Sequence, residues 1–278
     1  MEKKIRVTLP SETFEIIKND TSDFKITQNF LCNYLFSNYK NLKYNINYDN
    51  TYQKKIIQFS LNKNNLENYY TFLSDNNIQI EAKFFRNLFI AYASKSKKNR
   101  ELFIFKELLF RIKHAIDLNK QISLTFKDNS KKIISPFLVS SSELELKNYL
   151  FSYDEDEKKF KNFLIRNIKN VYILNKNRTI TNKNFINQAI KNFSPFLSIN
   201  NYIVVRFSNE GLNIFNKLKT NRPKILEKNN SIYKFECSLE QAKRYFSYFF
   251  SEVEILEPLE LRNWFKLQFK KGRKLYDV

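Results

Sequence analysis

The sequence holds two glycines, Gly211 and Gly272, one histidine, two cysteines and one tryptophan. Each shortage removes a chemistry. Loops that cradle phosphates or dinucleotides need glycines at fixed spacing, so neither a Walker-type loop nor a dinucleotide fingerprint is encoded. His114, in KELLFRIKHAIDL, falls in a helical pattern and reads as a surface or capping side chain rather than a general base. Cys32 and Cys237 are far apart, and both read as buried free thiols of a reducing compartment. One histidine and two cysteines do not make a zinc site, so neither a metal nor a cofactor is expected. No apolar run reaches the roughly 18 residues that a membrane span needs. The opening MEKKIRVTLP lacks the apolar core of a signal peptide. A cytoplasmic protein with no membrane partner is expected.

What is abundant is positive charge. The 278 residues carry a formal net charge of +20, with 42% hydrophobic and 16% aromatic content. That apolar fraction supports packed domains rather than disorder. The charge excess favours polyanionic partners, nucleic acid first.

Residues 4–9, KIRVTL, alternate strictly. Ile5, Val7 and Leu9 share one face, and Lys4, Arg6 and Thr8 the other, which predicts a half-buried strand. Ser11 is a fair helix cap after Pro10, and Phe14 and Ile17 recur at helical spacing. A turn is expected over 19–26. Thr27 can then cap a second helix carrying Phe30, Leu31, Tyr34 and Leu35. Residues 55–61, KIIQFSL, repeat the strand, with Ile57, Phe59 and Leu61 inward and Gln58 and Ser60 outward. A helix over 63–74 and another from about Glu81 follow. Setting Ile5, Val7 and Leu9 on Ile57, Phe59 and Leu61 gives an offset of 52 residues. The repeat predicts two copies, about 3–40 and 54–94, whose strands pair within one chain, with 40–54 as connector.

IRVTLPSETFEII resembles the opening of the ribbon-helix-helix family, a strand ending in Leu-Pro and then a helix. Asn19-Asp20 stands where that family usually has a glycine. The resemblance implies that two strands pair antiparallel and insert their outward side chains into a major groove. Lys4, Arg6, Thr8, Gln58 and Ser60 are then candidate nucleic-acid contacts. Helix starts at Thr27 and Gln79 are candidate phosphate sites. A plain solvated strand face is the alternative reading of the same residues. The basic run KSKKNR (95–100) reads as a solvated helix end or a phosphate track, and 101–119 as one apolar helix.

From Ile122 to Leu174 the chain reads as five short apolar runs separated by polar turns, which predicts a small barrel. A helix ending in His114-Ala115-Ile116, the strand at 122–126, Pro136, Tyr149-Leu150 and the closing run FLIRNIKNV resemble the WYL domain, with Asn148 in place of its tryptophan. The resemblance implies an SH3- or Sm-like barrel in a regulator. It also implies a basic and aromatic patch that takes a small-molecule or nucleotide ligand or nucleic acid. Lys132, Asn148, Tyr149 and Arg166 are the matching positions here. Buried or merely solvated side chains are the alternative.

Residues 176–200 read as a linker with a helical insert, and 201–278 as an α+β unit. Within it, VEILEPLELRNWF (253–265) resembles the C-terminal extension of WYL regulators, which implies dimerisation. Trp264 and Phe265 read as core or interface. The expected organisation is therefore α+β: a ribbon-helix-helix region over 1–100, a connecting helix and WYL barrel over 101–175, the linker, and the extension.

Three functions compete. One is a non-enzymatic DNA-binding transcriptional regulator with a sensing barrel. The second is a single-stranded RNA-binding accessory protein that modulates an effector nuclease, because this domain order resembles the WYL accessory proteins of type VI CRISPR systems. The third is an enzyme. Its only candidate carboxylate pairs, Glu143 with Glu145 and Asp154 with Asp156, read as solvated turn residues, so no catalytic residue is expected.

Overall fold

Alternation and helical spacing set the first elements of the computed structural model, which describes residues 3–40, 53–142 and 146–276. The chain forms two compact units, Met1–Phe110 with Ile165–Lys169 and Arg111–Leu164 with Asn170–Val278.

The first unit opens with β1 (Lys4–Pro10), which runs directly into α1 (Ser11–Asp23) and then α2 (Gln28–Tyr39). Helix α1 extends through part of the expected turn, and Thr27 caps α2 by accepting from the Phe30 N–H at 3.1 Å. The second copy has β2 (Lys54–Ser60), α3 (Lys63–Glu67), α4 (Tyr69–Asp75) and α5 (Glu81–Ala93). The single helix expected over 63–74 is broken at Asn68. Most of the proposed connector, residues 41–52, lies outside the described residues. Strands β1 and β2 pair antiparallel with Lys4 opposite Ser60 and Arg6 opposite Gln58. Their inward residues Ile5, Val7, Leu9, Ile57 and Phe59 meet Leu31, Leu35, Phe36, Phe85 and Phe89 in one aromatic-rich core. A β-ribbon of two strands is marginal alone, and these helices supply the apolar cover that it needs.

The expected helix over 101–119 is two, α6 (Lys97–Ile104) and α7 (Lys106–Asp117), with the break at Phe105. The basic run before it is spent within the unit. Arg100 is buried, its Nε donating to Asp20 Oδ2 at 2.5 Å and its Nη2 to Oδ1 at 3.1 Å. Tyr92 donates to the same carboxylate at 2.7 Å. Lys97 pairs with Asp23, and the Lys95 ammonium lies 4.7 Å from the Tyr39 ring centroid. Arg100 is thus an interior cation, while Lys95 and Lys97 keep part of their surface in solvent.

The second unit holds β3 (Lys120–Phe126), β4 (Lys131–Ser142), β5 (Lys147–Asp154) and β6 (Lys159–Leu164), then the larger part of β7 (Ile168–Asn177) after a 3-10 turn. The strand order is β6-β5-β4-β3-β7. The closed barrel expected from sequence is corrected here. The chain makes an open sheet, in which β4 uses its first residues for β3 and its later ones for β5, with an irregularity between Pro136 and Leu138. Helix α8 (Lys183–Lys191) covers part of it, through Ile186 and Ala189 against Phe137 and Phe151.

The C-terminal part runs β8 (Tyr202–Phe207), α9 (Asn209–Lys217), β9 (Lys224–Asn229), β10 (Ile232–Glu236), α10 (Leu239–Phe246), β11 (Val253–Glu257) and α11 (Leu259–Tyr276). The order β11-β8-β10-β9, antiparallel throughout, is that of a ferredoxin-like split βαβ unit. Phe265 is buried in its core and Trp264 packs at the edge of it.

Among the described residues no glycine has a positive φ, and six of the eleven residues that do are asparagines. Asn119, Asn129, Asn221 and Asn230 all have φ between 50° and 65°. Asparagine tolerates that region better than most side chains because its short amide bonds locally.

Candidate nucleic-acid interface

The two-stranded ribbon presents one face to the core and the other to solvent. Its outer face carries Lys4, Arg6 and Thr8 from β1 and Lys54, Ile56, Gln58 and Ser60 from β2. Cross-strand partners on that face are Lys4 with Ser60, Arg6 with Gln58, Thr8 with Ile56, and Pro10 with Lys54. Five of the six nucleic-acid candidates are thus brought onto one surface. Lys54 and Ile56 belong with them and went unnamed in the sequence reading. Extending the alternation of Gln58 and Ser60 two steps toward the N-terminus would have found them. Ile56 is 48% exposed, unusual for isoleucine in a strand whose other face is core.

Helices hold this ribbon by its backbone edges. Gln28 Nε2 donates to the Gln58 carbonyl at 2.9 Å, and Asn29 Oδ1 accepts the Ser60 N–H at 2.8 Å. Asn33 is almost fully buried. Its Nδ2 donates to the Ser60 carbonyl at 2.8 Å, while its Oδ1 accepts the Asn62 N–H at 2.8 Å and Asn65 Nδ2 at 2.9 Å. On the other edge, Arg86 Nε donates to the Thr8 carbonyl at 2.8 Å. Side chains that satisfy an edge strand discourage its pairing with another chain.

Thr27 starts α2, whose first turn carries no acid. The corresponding start of α5 differs. Its cap is Ile80, one residue after the expected Gln79, and its first turn carries Glu81, which accepts from Lys3 Nζ at 2.9 Å.

The four candidates carried over from the WYL resemblance are placed otherwise. Arg166 is in the first unit, 9% exposed, and its guanidinium grips both oxygens of the fully buried Glu101 at 2.9 and 3.2 Å. Lys132 donates to Asp154 at 2.8 Å and Glu157 at 2.7 Å. Asn148 is fully buried, accepting from Ser141 Oγ at 2.6 Å, and Tyr149 is buried with its ring 6.1 Å from Phe193. Asn148 pairs with Ser141 toward one end of the β4–β5 ladder, whereas Lys132 lies on β4 opposite Leu124 of β3, past the other end, where Asp154 pairs with Ile134. The basic and aromatic groups therefore do not converge on an open patch of the sheet.

Asp154, read from sequence as solvated, is corrected to a buried organiser of its turn. It accepts from the Asp156 and Glu157 N–H groups at 3.1 Å each and lies 3.5 Å from Lys161. Burial pushes its carboxyl up, but the Lys132 ammonium and the two N–H groups outweigh that and hold it below the ordinary carboxylate range. Hydrogen bonds to the Asp154 and Glu157 carboxylates raise the Lys132 ammonium above its usual value. Asp156 stays exposed, and Glu143 and Glu145 lie outside the described residues.

Among the described residues, no group of three or more His, Cys, Asp or Glu side chains is placed to hold a metal ion, and no helix is long and apolar enough to cross a membrane.

A chain of mixed α+β architecture, with antiparallel sheets and a paired N-terminal ribbon, is thus defined. No family model matches it, and no curated protein sequence does. Among solved structures it is similar to a CRISPR Cas-related protein, at 15% identity and a TM-score of 0.72, over 100% of this chain and 95% of that one. Proteasome accessory factor B/C of Arthrobacter aurescens aligns at 12% identity and a TM-score of 0.30, over 99% of this chain and 50% of that one. The first likeness is one of fold, and the second is too slight to carry an argument.

Proposed function

We propose that this protein is a non-enzymatic nucleic-acid-binding regulator of the cytoplasm that grips duplex DNA with the β1–β2 ribbon, in the manner of ribbon-helix-helix proteins. The observation that carries the reading is the register that sets Arg6 opposite Gln58 on an exposed face with Lys4, Thr8, Lys54 and Ser60. A two-stranded ribbon fits the major groove, where arginine, lysine and glutamine read base edges. Arg86, Arg100 and Arg166 spend donors on protein acceptors, whereas Arg6 is exposed. The sheet of β3 to β7 stands as the WYL-type element, since its fifth strand returns beside its first as in an opened small barrel. The ferredoxin-like part stands as the C-terminal extension, with the role of joining two chains.

A second reading is a single-stranded RNA-binding accessory to a type VI CRISPR effector nuclease. It is favoured by the whole-chain likeness in fold to a CRISPR Cas-related protein. Titrating the full chain with duplex DNA and with single-stranded RNA at two salt concentrations separates the two. The ribbon reading expects tighter binding to duplex, with an affinity that falls as salt rises. Tight RNA binding with weak duplex binding would replace it with the second.

A further inference from the structure

The two strands of the ribbon are related by the same offset of 52 residues that relates their core positions, and that offset makes Arg6 the counterpart of Gln58. These two are also direct cross-strand partners. A local two-fold axis therefore passes between them. Across it, Lys4 is the counterpart of Ile56 and Thr8 of Ser60, and the pair Lys4–Ser60 exchanges with the pair Ile56–Thr8. Two of the bonded edge carbonyls are counterparts as well. Asn33 on α2 caps the Ser60 carbonyl, and Arg86 on α5 caps the Thr8 carbonyl, 52 residues from it. The backbone is a two-fold object made from one chain, but its chemistry is not two-fold. One end of the outer face offers an ammonium and a hydroxyl, the centre a guanidinium beside an amide, and the other end an isoleucine beside a threonine, followed by Lys54 beside Pro10. The flanking helices differ in the same sense, with neutral Gln28 at the start of α2 and Glu81 at the start of α5.

Resting on the duplex reading above, we infer that one chain recognises one element of double-stranded DNA that is not self-complementary. A ribbon made from two identical chains presents equal ends and selects a palindrome. This ribbon has unequal ends. Lysine and arginine select guanine through O6 and N7, glutamine selects adenine, and an apolar side chain packs on the thymine methyl. The element it takes is guanine-bearing toward Lys4 and at the centre, and thymine-bearing toward Ile56. If two chains associate, each brings its own complete ribbon.

The test is enrichment of the full-length protein on a randomised duplex pool, followed by binding to the enriched element. The expected result is an element without internal two-fold symmetry, bound by one chain. Replacing its thymines by uracil should lower affinity roughly 3- to 10-fold for the natural protein and leave Ile56→Asn unaffected, because that variant has no apolar group at this position to meet the methyl. The double change Ile56→Lys with Gln58→Arg makes the three pairs Lys4–Ser60, Arg6–Gln58 and Thr8–Ile56 equivalent about the axis, and the part of its enriched element under them should become self-complementary. These positions are exposed, so the variants fold. A self-complementary element for the natural protein, or an unchanged preference in the double variant, would overturn the inference while leaving the duplex reading standing. Failure to retain any duplex would overturn both.

Discussion

Single residues show where the charge of this chain goes. A net charge of +20 reads from sequence as a polyanion-binding surface. Yet Arg100 and Arg166 are buried against Asp20 and Glu101, and Lys132 is held by Asp154 and Glu157. Breaking such pairs by removing one partner leaves a buried charge uncompensated, which is why their role is to fix the fold. Composition counts cations, and only tertiary packing assigns partners to them, so Arg166 could not be told from a solvated or ligand-binding arginine in advance. Asp154 gives the clearest consequence. Its folded carboxyl lies below its unfolded value, so its stabilisation is complete above the ordinary carboxylate pKa of about 3.9 and is lost as pH falls through the lower folded value. Asp154→Asn should therefore be less stable than the natural chain near neutral pH, with the gap closing in acid. Chemical unfolding of both proteins between about pH 7 and pH 3 checks this, and a gap independent of pH would rule it out.

Elements were more legible than sites. Strict alternation in KIRVTL, and alternation from Ile57 onward in KIIQFSL, pointed to both strands of the ribbon, and the shared offset anticipated that they pair. Helix breaks were not legible, because Asn68 and Phe105 interrupt patterns whose apolar spacing is continuous. Nor was the open sheet. Whether five strands close depends on the first and last strands meeting around the whole circuit, which no local pattern encodes. The asparagine cluster under β2 was also invisible, since Asn29, Asn33, Asn62 and Asn65 look like loop or surface composition until the strand edge is laid beside them. Asn33 bonds Ser60, Asn62 and Asn65 at once. Asn33→Leu should cost about 2–3 kcal/mol by leaving buried backbone groups unpaired, lowering the midpoint of thermal unfolding. A midpoint equal to that of the natural chain would show that β2 does not depend on this cap.

At the scale of the whole molecule, an α+β chain with a paired ribbon, an open five-stranded sheet and a ferredoxin-like unit shares its fold with a CRISPR Cas-related protein. Among the described residues, the ribbon is the place where exposed cationic, amide and hydroxyl groups are arrayed on a rigid two-strand frame with satisfied edges. That arrangement is the central claim, and it separates binding from stability, because Lys4 and Arg6 point away from the core. The most direct measurement is equilibrium binding of duplex DNA by the natural chain and by the double variant Lys4→Glu with Arg6→Glu, at several salt concentrations. Affinity should fall roughly tenfold or more, and the slope of log affinity against log salt should shrink by at least about 1, with the unfolding midpoint unchanged. Equal affinity and equal salt slope in the two proteins would contradict the account.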